Sequence, residues 1–373
     1  MVERPAVPED DVLERSLRPY RDTANEHLQA LWEEYAAIHP AGTYPSTRTM
    51  RGNARLFSAG KRYRYGIALA GYRLLSGQAP SRGLERASSW LEWYHLYTLF
   101  LDDIMDEDER RRTMRSAWAT DARLYRRPDA RSPSIVFRTR RHRYGASQAI
   151  LDALRLRSFA ERAIEDAFDL DPLVKVQLLA ELTEVDLVVS AGQGLDIDLE
   201  AAERIPESVY VRMSEAKTAR LYLGAAATAA IAARAPAEER QALEEYALRF
   251  AIAFQDRDDL LGSGVVRSRI GGSSEGDIRQ GKRTRLYVLA AARLRGRERI
   301  AFLRSYGRGG RTTPRDLTTV RDVLGRRILP TVEARIRENQ RLAREALERI
   351  PPRDMEARAF LDALVEAQAS RVR

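Results

Sequence analysis

Asp102-Asp103-Ile104-Met105-Asp106 ends an apolar stretch running from Leu91 to Leu101, and a second acidic pair, Asp258-Asp259, ends another from Tyr246 to Phe254. On a helix Asp102 and Asp106 lie one turn apart, as do Asp103 and Asp106, so three carboxylates can point into one space. Like charges at that spacing repel, and at the rim of a greasy helix face they have to be neutralised. A purely oxygen donor set favours a hard divalent cation, Mg²⁺ first. Two such clusters at the mouth of an apolar cavity suit an enzyme that grips a diphosphate and buries its hydrocarbon tail. The plain alternative is a solvated helix end; the matching second pair and the arginines Arg111-Arg112 weigh against it. Asp258-Asp259 is weaker taken alone, because Asp256 and Arg257 beside it suit a surface ion-pair cluster.

Of the 63 basic residues only four are lysines, at 61, 175, 217 and 282. Lys61, Lys217 and Lys282 each stand beside Gly or Thr in compact polar knots within apolar surroundings. A lysine is a compact point charge that approaches phosphate oxygens closely, unlike the planar arginine fork. Lys175 reads as an ordinary surface position. Gly192-Gln193-Gly194-Leu195-Asp196 closes an apolar helix, with C-terminal glycines; Gln193 and Asp196 are candidates for binding or for orienting a neighbour.

The elements that position these residues are helical. Apolar residues recur every three to four positions in Val12–Ile38, Arg51–Leu75 (broken at Gly60), Gly83–Arg110, Gln148–Ala191 (with a turn at Asp169–Pro172), Pro206–Ala233 and Pro236–Leu261. Helical patterning returns from Thr284 to the end, interrupted near Gly307–Thr313 and at Pro351-Pro352. No run of period two argues for a sheet. The arginine-rich stretch 113–143, holding Pro128 and Pro133, reads as a surface excursion. The expectation is one all-α domain over residues 1–373, a bundle of roughly ten or more helices at common lengths.

Composition removes several classes of function. Without cysteine there is no disulfide, zinc-thiolate site or cysteine nucleophile, and the histidines at 27, 39, 95 and 142 are not paired as metal ligands. The net charge of +9 comes from dispersed arginines with no basic-aromatic motif, which argues against nucleic acid as a partner. No apolar signal core occupies residues 1–20, and the longest apolar run, Leu221–Ala233, is too short to span a membrane. A cytoplasmic protein without stable membrane insertion is expected.

Taken in order, the motifs resemble those of the trans-isoprenyl diphosphate synthases, the family of farnesyl and geranylgeranyl diphosphate synthases. Gly60-Lys61-Arg62-Tyr63-Arg64 is similar to GKRxR, and Glu92 and His95 precede Asp102 at the family's spacing. Asp102–Asp106 matches DDxxD, followed by the arginine pair. Gly192-Gln193 with Asp196 resembles GQxxD, Lys217-Thr218 the KT motif, Phe254-Gln255 with Asp258-Asp259 the second acidic motif, and Asp277 through Lys282 DxxxGK. Seven matches in sequence order are a far stronger signal than any one of them.

The resemblance implies a helical bundle of the isoprenoid synthase type around a central apolar cavity, working as a homodimer on isoprenyl diphosphates. It implies three Mg²⁺, held by Asp102, Asp106 and Asp258, with Asp103 also catalytic. Arg111, Lys217 and Lys282 would clamp the allylic diphosphate; Lys61, Arg64, His95 and Arg112 would hold isopentenyl diphosphate. Gln193, Thr218 and Asp259 would complete substrate binding. Tyr94, Tyr97 and Thr98 would set chain length, and the bulk of Tyr97, five positions before the first aspartate, implies a short product, geranylgeranyl first and farnesyl second. Departures from the family pattern are Gly262 for a third aspartate, Gly271-Gly272 for Gly-Lys (with Arg267 or Arg269 as substitutes), Thr113 for glycine, and a shortened Ala149–Leu154. They leave two alternatives, a class I terpene cyclase of the same fold and a non-catalytic synthase subunit.

Overall fold

The computed structural model describes residues 9–111, 114–126, 136–202, 204–266 and 275–370. Among the described residues there are seventeen α-helices and a single pair of two-residue strands, so the all-α class expected from periodicity is the class found. The chain divides into two compact units, one made of 17–69 and 79–179, the other of 1–16, 70–78 and 180–373.

The first unit is built on the helix Trp90–Met105. This helix is apolar on nearly every side, as a fully enclosed helix must be, and buries Trp90, Leu91, Trp93, Tyr94, Leu96 and Phe100. Trp93 meets Phe57 edge-on at 5.5 Å and Phe159 at 5.0 Å between ring centroids, which ties the helices Pro45–Ser58 and Arg140–Glu165 to it. The expected helix over Gly83–Arg110 is really two, Arg82–Ser88 and Trp90–Met105. Ser81 caps the first by accepting from the Leu84 amide at 3.2 Å.

The stretch expected as a surface excursion differs in its described part. Met114–Arg115 pairs antiparallel with Arg110–Arg111, and Ala117–Ala122 is a short helix packed on Arg140–Glu165 with Ala117, Ala119, Asp121 and Ala122 buried. Charge hid it, because Asp121 lies wholly inside. The Asn53 amide donates to Asp121 Oδ1 at 3.1 Å, and Asp152 takes Arg155 at 2.6 Å. One oxygen of each carboxylate is enclosed without a protein donor. Burial, reinforced by the neighbouring Asp152 charge, pushes the Asp121 carboxyl up to about 8; burial raises Asp152 to about 6, against the pull of Thr49 and Arg155.

In the second unit Ala237–Gly262 is the central helix, burying Leu243, Tyr246, Phe250 and Leu260. Leu329–Glu348 and the alanine-rich Arg220–Ala233 pack along it, and Gly71 of the helix Tyr63–Ser76 fits against Arg220–Ala233 and Ala237–Gly262 where a Cβ would meet Ala229 Cβ at 2.9 Å and Leu243 Cδ2 at 2.8 Å. Tyr287, Phe302 and Tyr306 form a second aromatic cluster, with centroids 5.0–6.0 Å apart, beneath Arg285–Arg293. The break at 307–313 is as expected, and Thr313 opens Pro314–Arg327 with a capping box to Asp316. Gly192 and Gly194 do not end a helix: Pro172–Ala201 runs straight through both.

A carboxyl raised in the folded state stabilises the fold below its unfolded value, and that contribution is lost as pH rises toward the folded value. Between pH 6.5 and 8 Asp121 contributes to this loss, at up to about 1.4 kcal/mol per pH unit. Chemical denaturation of Asp121→Asn is expected to show a flatter stability profile in that window than the parent; parallel profiles would refute the assignment.

Candidate functional site

The first acidic cluster is shaped by how its helix stops. Asp106 closes Trp90–Met105, and Glu107 adopts a left-handed backbone, φ 54°. The Glu107 amide then donates to Ile104 O at 3.2 Å and the Asp108 amide to Asp103 O at 2.9 Å, the double bond of a Schellman ending with Glu where glycine is usual. The strand Arg110–Arg111, paired antiparallel with Met114–Arg115, returns Arg111 to the acids. Arg111 Nε donates to Asp103 Oδ1 at 2.9 Å, and Nη2 reaches Asp102 Oδ2 at 3.2 Å. Trp118 Nε1 holds the Asp103 and Asp108 carbonyls, both at 3.0 Å. Asp103 is buried and its carboxyl is raised by that burial, with Arg111 opposing. Asp102 and Asp106 remain half-exposed.

The same helix gathers further predicted residues. His95 and Thr98 lie half-exposed one turn and more below the acids, with Thr98 Oγ1 donating to His95 O at 2.8 Å. Tyr94 is in the core, and Tyr97 is half-buried with its ring 5.3 Å from that of Tyr94. Lys61 and Arg64 flank the start of the helix Tyr63–Ser76, which Glu92 joins to the Trp90–Met105 helix: the Tyr65 amide donates to Glu92 Oε1 at 3.3 Å. Arg112 lies outside the described residues, as do Thr113, Arg267, Arg269, Gly271 and Gly272.

In the second unit the predicted residues join one hydrogen-bonded chain. Asp259 is buried; its Oδ2 accepts from the Tyr210 hydroxyl and the Arg285 amide, both at 2.8 Å, and its Oδ1 from Gln255 Nε2 at 2.8 Å. Gln255 Oε1 in turn accepts from Thr218 Oγ1 at 3.0 Å. Burial raises the Asp259 carboxyl and these donors pull it back. Asp259 is thereby occupied by its own protein, whereas Asp258, the next residue round the helix, is half-exposed. Asp256 and Arg257 are not a surface pair, since both are buried. Asp256 holds Arg285 Nε at 2.6 Å and Arg335 Nε at 3.1 Å, and burial brings its carboxyl to about 6 against both.

Lys217 and Thr218 stand on a π-helical segment, Glu215–Ala219, a form that concentrates at functional sites. Lys217 Nζ donates to Asp196 Oδ2 at 2.5 Å. Gly192 makes this possible: a Cβ there would stand 2.4 Å from the Lys217 amide nitrogen. Gln193, half-buried, is its neighbour on the same helix. Lys282 follows Gly281, whose φ of 77° and contact with Gly307 exclude a side chain, and the Tyr306 hydroxyl fixes Lys282 O at 2.6 Å.

Gly262 has a local explanation as well. A Cβ at this position would meet Asp277 Oδ2 at 2.1 Å, so a carboxylate from the DxxxGK segment already fills the space that a third aspartate would enter. Sequence reasoning left Tyr210, Gln255, Arg285, Arg62 and Glu92 without roles. The one signal available was a strongly polar residue inside an apolar period, as at Glu92.

Mg²⁺ takes one or two carboxylates and completes its octahedron with water and substrate phosphate oxygens. Half-exposed Asp102 and Asp106, one turn apart, fit that donor set, as does Asp258. Among the described residues no three His, Asp or Glu side chains are gathered to hold a metal ion.

The family described as polyprenyl synthetase matches residues 51–322. A geranylfarnesyl diphosphate synthase of Aeropyrum pernix is 28% identical over 320 residues, 85% of this chain and 92% of the relative. A geranylgeranyl diphosphate synthase of Methanosarcina mazei is 27% identical over 71% of this chain and 73% of its own. The crystal structure of a geranylgeranyl pyrophosphate synthase from Corynebacterium glutamicum, complexed with isoprenyl diphosphate and magnesium, superposes with a TM-score of 0.82 at 24% identity, covering 95% of this chain and 99% of that one.

Replacing Gly262 by Asp, which would recreate a third aspartate, is expected to lower stability by about 1–3 kcal/mol because Asp277 is in the way. Urea denaturation reads this directly, and an unchanged or raised midpoint would contradict the packing.

Proposed function

Since this chain belongs to the polyprenyl synthetase family and is a trans-prenyltransferase, we propose that it condenses isopentenyl diphosphate with an allylic diphosphate to geranylgeranyl diphosphate, with farnesyl diphosphate as the second choice of product. The observation that carries this reading is Arg111 folded back on Asp102 and Asp103 at a helix C-terminus, an acidic cluster built to be shared with cations and a diphosphate. The family is magnesium-dependent. In our reading Asp102, Asp106 and Asp258 hold three ions, whose contribution is to offset charge developing on the leaving diphosphate. The two compact units are read as parts of one isoprenoid synthase domain, supported by a family match that runs through both.

Arg111, Lys217 and Lys282 would hold the allylic diphosphate through charge-assisted contacts that strengthen as its bridging C–O bond breaks. Pyrophosphate leaves with the electron pair, and the double bond of isopentenyl diphosphate attacks the allylic cation to form the new C–C bond. Lys61, Arg64, His95 and Arg112 would hold that second diphosphate. The pyrophosphate then takes the proton that restores a double bond. Water must stay out, or the cation is quenched as an alcohol.

Relatives named as synthases favour elongation over the cyclase and inactive-subunit alternatives. We read the location as cytoplasmic, consistent with the family; no helix of the described residues is long and apolar enough to cross a membrane. A homodimer is supported by Ile150, Leu151 and Leu154, exposed on one face of Arg140–Glu165.

Incubation with Mg²⁺, isopentenyl diphosphate and labelled farnesyl diphosphate is expected to give a C20 diphosphate, and EDTA to abolish it. Asp102→Asn is expected to reduce kcat by about 10²–10³-fold. A cyclic hydrocarbon made without isopentenyl diphosphate would instead identify a cyclase. Tyr97→Ala should lengthen the product in the same assay; an unchanged chain length would remove Tyr97 as its determinant.

A further inference from the structure

Between half-exposed Lys61 and half-exposed Arg64 stands a third basic residue that is buried. Arg62 is buried, 4% exposed, and is one of three non-glycine residues of positive φ among the described residues, at 60°. Its guanidinium is bound on every nitrogen: Nε donates to Asn25 Oδ1 at 3.1 Å, Nη1 to Glu92 Oε2 at 3.2 Å, and Nη2 to the Phe57 carbonyl. Gly60 leaves room for this return, since a Cβ there would stand 3.0 Å from Arg62 Nη1.

Arg62 also occupies the N-cap position of the Tyr63–Ser76 helix, because its carbonyl accepts the first helical bond, from the Gly66 amide at 2.9 Å. A left-handed arginine cannot cap that helix with its own side chain. Glu92, 3% exposed, does so instead: its Oε1 accepts from the Tyr65 amide, the third residue of the helix, while Oε2 takes the arginine. A carboxylate at this helix start satisfies an orphan amide and the positive end of the helix dipole together. The left-handed backbone is strained for a residue with a Cβ and persists because these contacts over-determine it.

We propose that Arg62 and Glu92 are positioning residues for the diphosphate-binding pair Lys61 and Arg64, a buried clasp that fixes the turn between them so that two cations on either side of the helix start face one diphosphate. The proposal rests on the reading of Lys61 and Arg64 as ligands of isopentenyl diphosphate. Glu92 stands one turn from His95 on its helix, so the same clasp also sets the register of Lys61 and Arg64 against that histidine.

Steady-state kinetics separates the possibilities. Arg62→Gly keeps the left-handed turn, which glycine adopts freely, and removes the tether together with its donors to Asn25, Glu92 and the Phe57 carbonyl; Glu92→Gln keeps an acceptor for the Tyr65 amide and removes the charge. Each is expected to raise KM for isopentenyl diphosphate roughly tenfold, since a phosphate contact displaced by about 1 Å loses much of its strength. KM for farnesyl diphosphate and kcat should stay within about threefold of the parent. Lys61→Ala is the control for the underlying reading: if it leaves KM for isopentenyl diphosphate unchanged, that reading fails. If Lys61→Ala raises this KM and Arg62→Gly does not, the positioning role is overturned. A uniform loss across both substrates and kcat, with a lowered melting temperature, would make the clasp merely structural. Should Glu92→Gln fail to fold, Arg62→Gly decides alone.

Discussion

Carboxylates at the C-terminal end of an apolar helix are held where nothing nearby welcomes them. The helix dipole is already negative there, water is scarce, and neighbouring acids repel. Both acidic motifs are placed in this way, at the ends of Trp90–Met105 and Ala237–Gly262. Much of the local architecture answers that single electrostatic problem. A left-handed Glu107 turns the chain back so that Arg111 can reach its acids, and Arg285 and Arg335 come from other helices to Asp256.

The two motifs divide their labour between adjacent residues. Successive positions on a helix are about 100° apart, so of two consecutive aspartates one can face inward and the other outward. Asp103 and Asp259 face inward and are satisfied by protein donors, while Asp102 and Asp258 are the half-exposed members. The inward acids carry hydrogen bonds that hold Arg111 and Gln255, and through Gln255 also Thr218, in place. A pair that reads as doubled charge in sequence is one buried and one half-exposed carboxylate.

This division was beyond the reach of the sequence, although the motifs themselves were not. Helical periodicity located the long elements, because burial of one face imposes it, and the scarcity of lysine marked three positions that the fold places at helix starts, on a π segment and after a tight turn. What failed was any inference about which charges are buried. Asp121, Asp256 and Arg257 look like surface residues by type, and only tertiary partners such as Asn53, Arg285 and Arg335 make their burial tolerable. Gly192 misled for a related reason. A glycine in an apolar helix signals an ending or a close neighbour, and the neighbour lies 25 residues further along the chain.

The π segment Glu215–Ala219 sets local regularity and chemistry against each other. Its closing bond, from the Arg220 amide to the Glu215 carbonyl, spans one residue more than an α-turn would. Removing a residue there would give a smoother and better-bonded helix, yet it would turn Lys217 about 100° around the axis, away from Asp196. A sequence selected for helix stability alone would drift toward that deletion. The surplus residue is a small, permanent imperfection, and it sets the length of this segment as firmly as Lys217 and Thr218 set its composition.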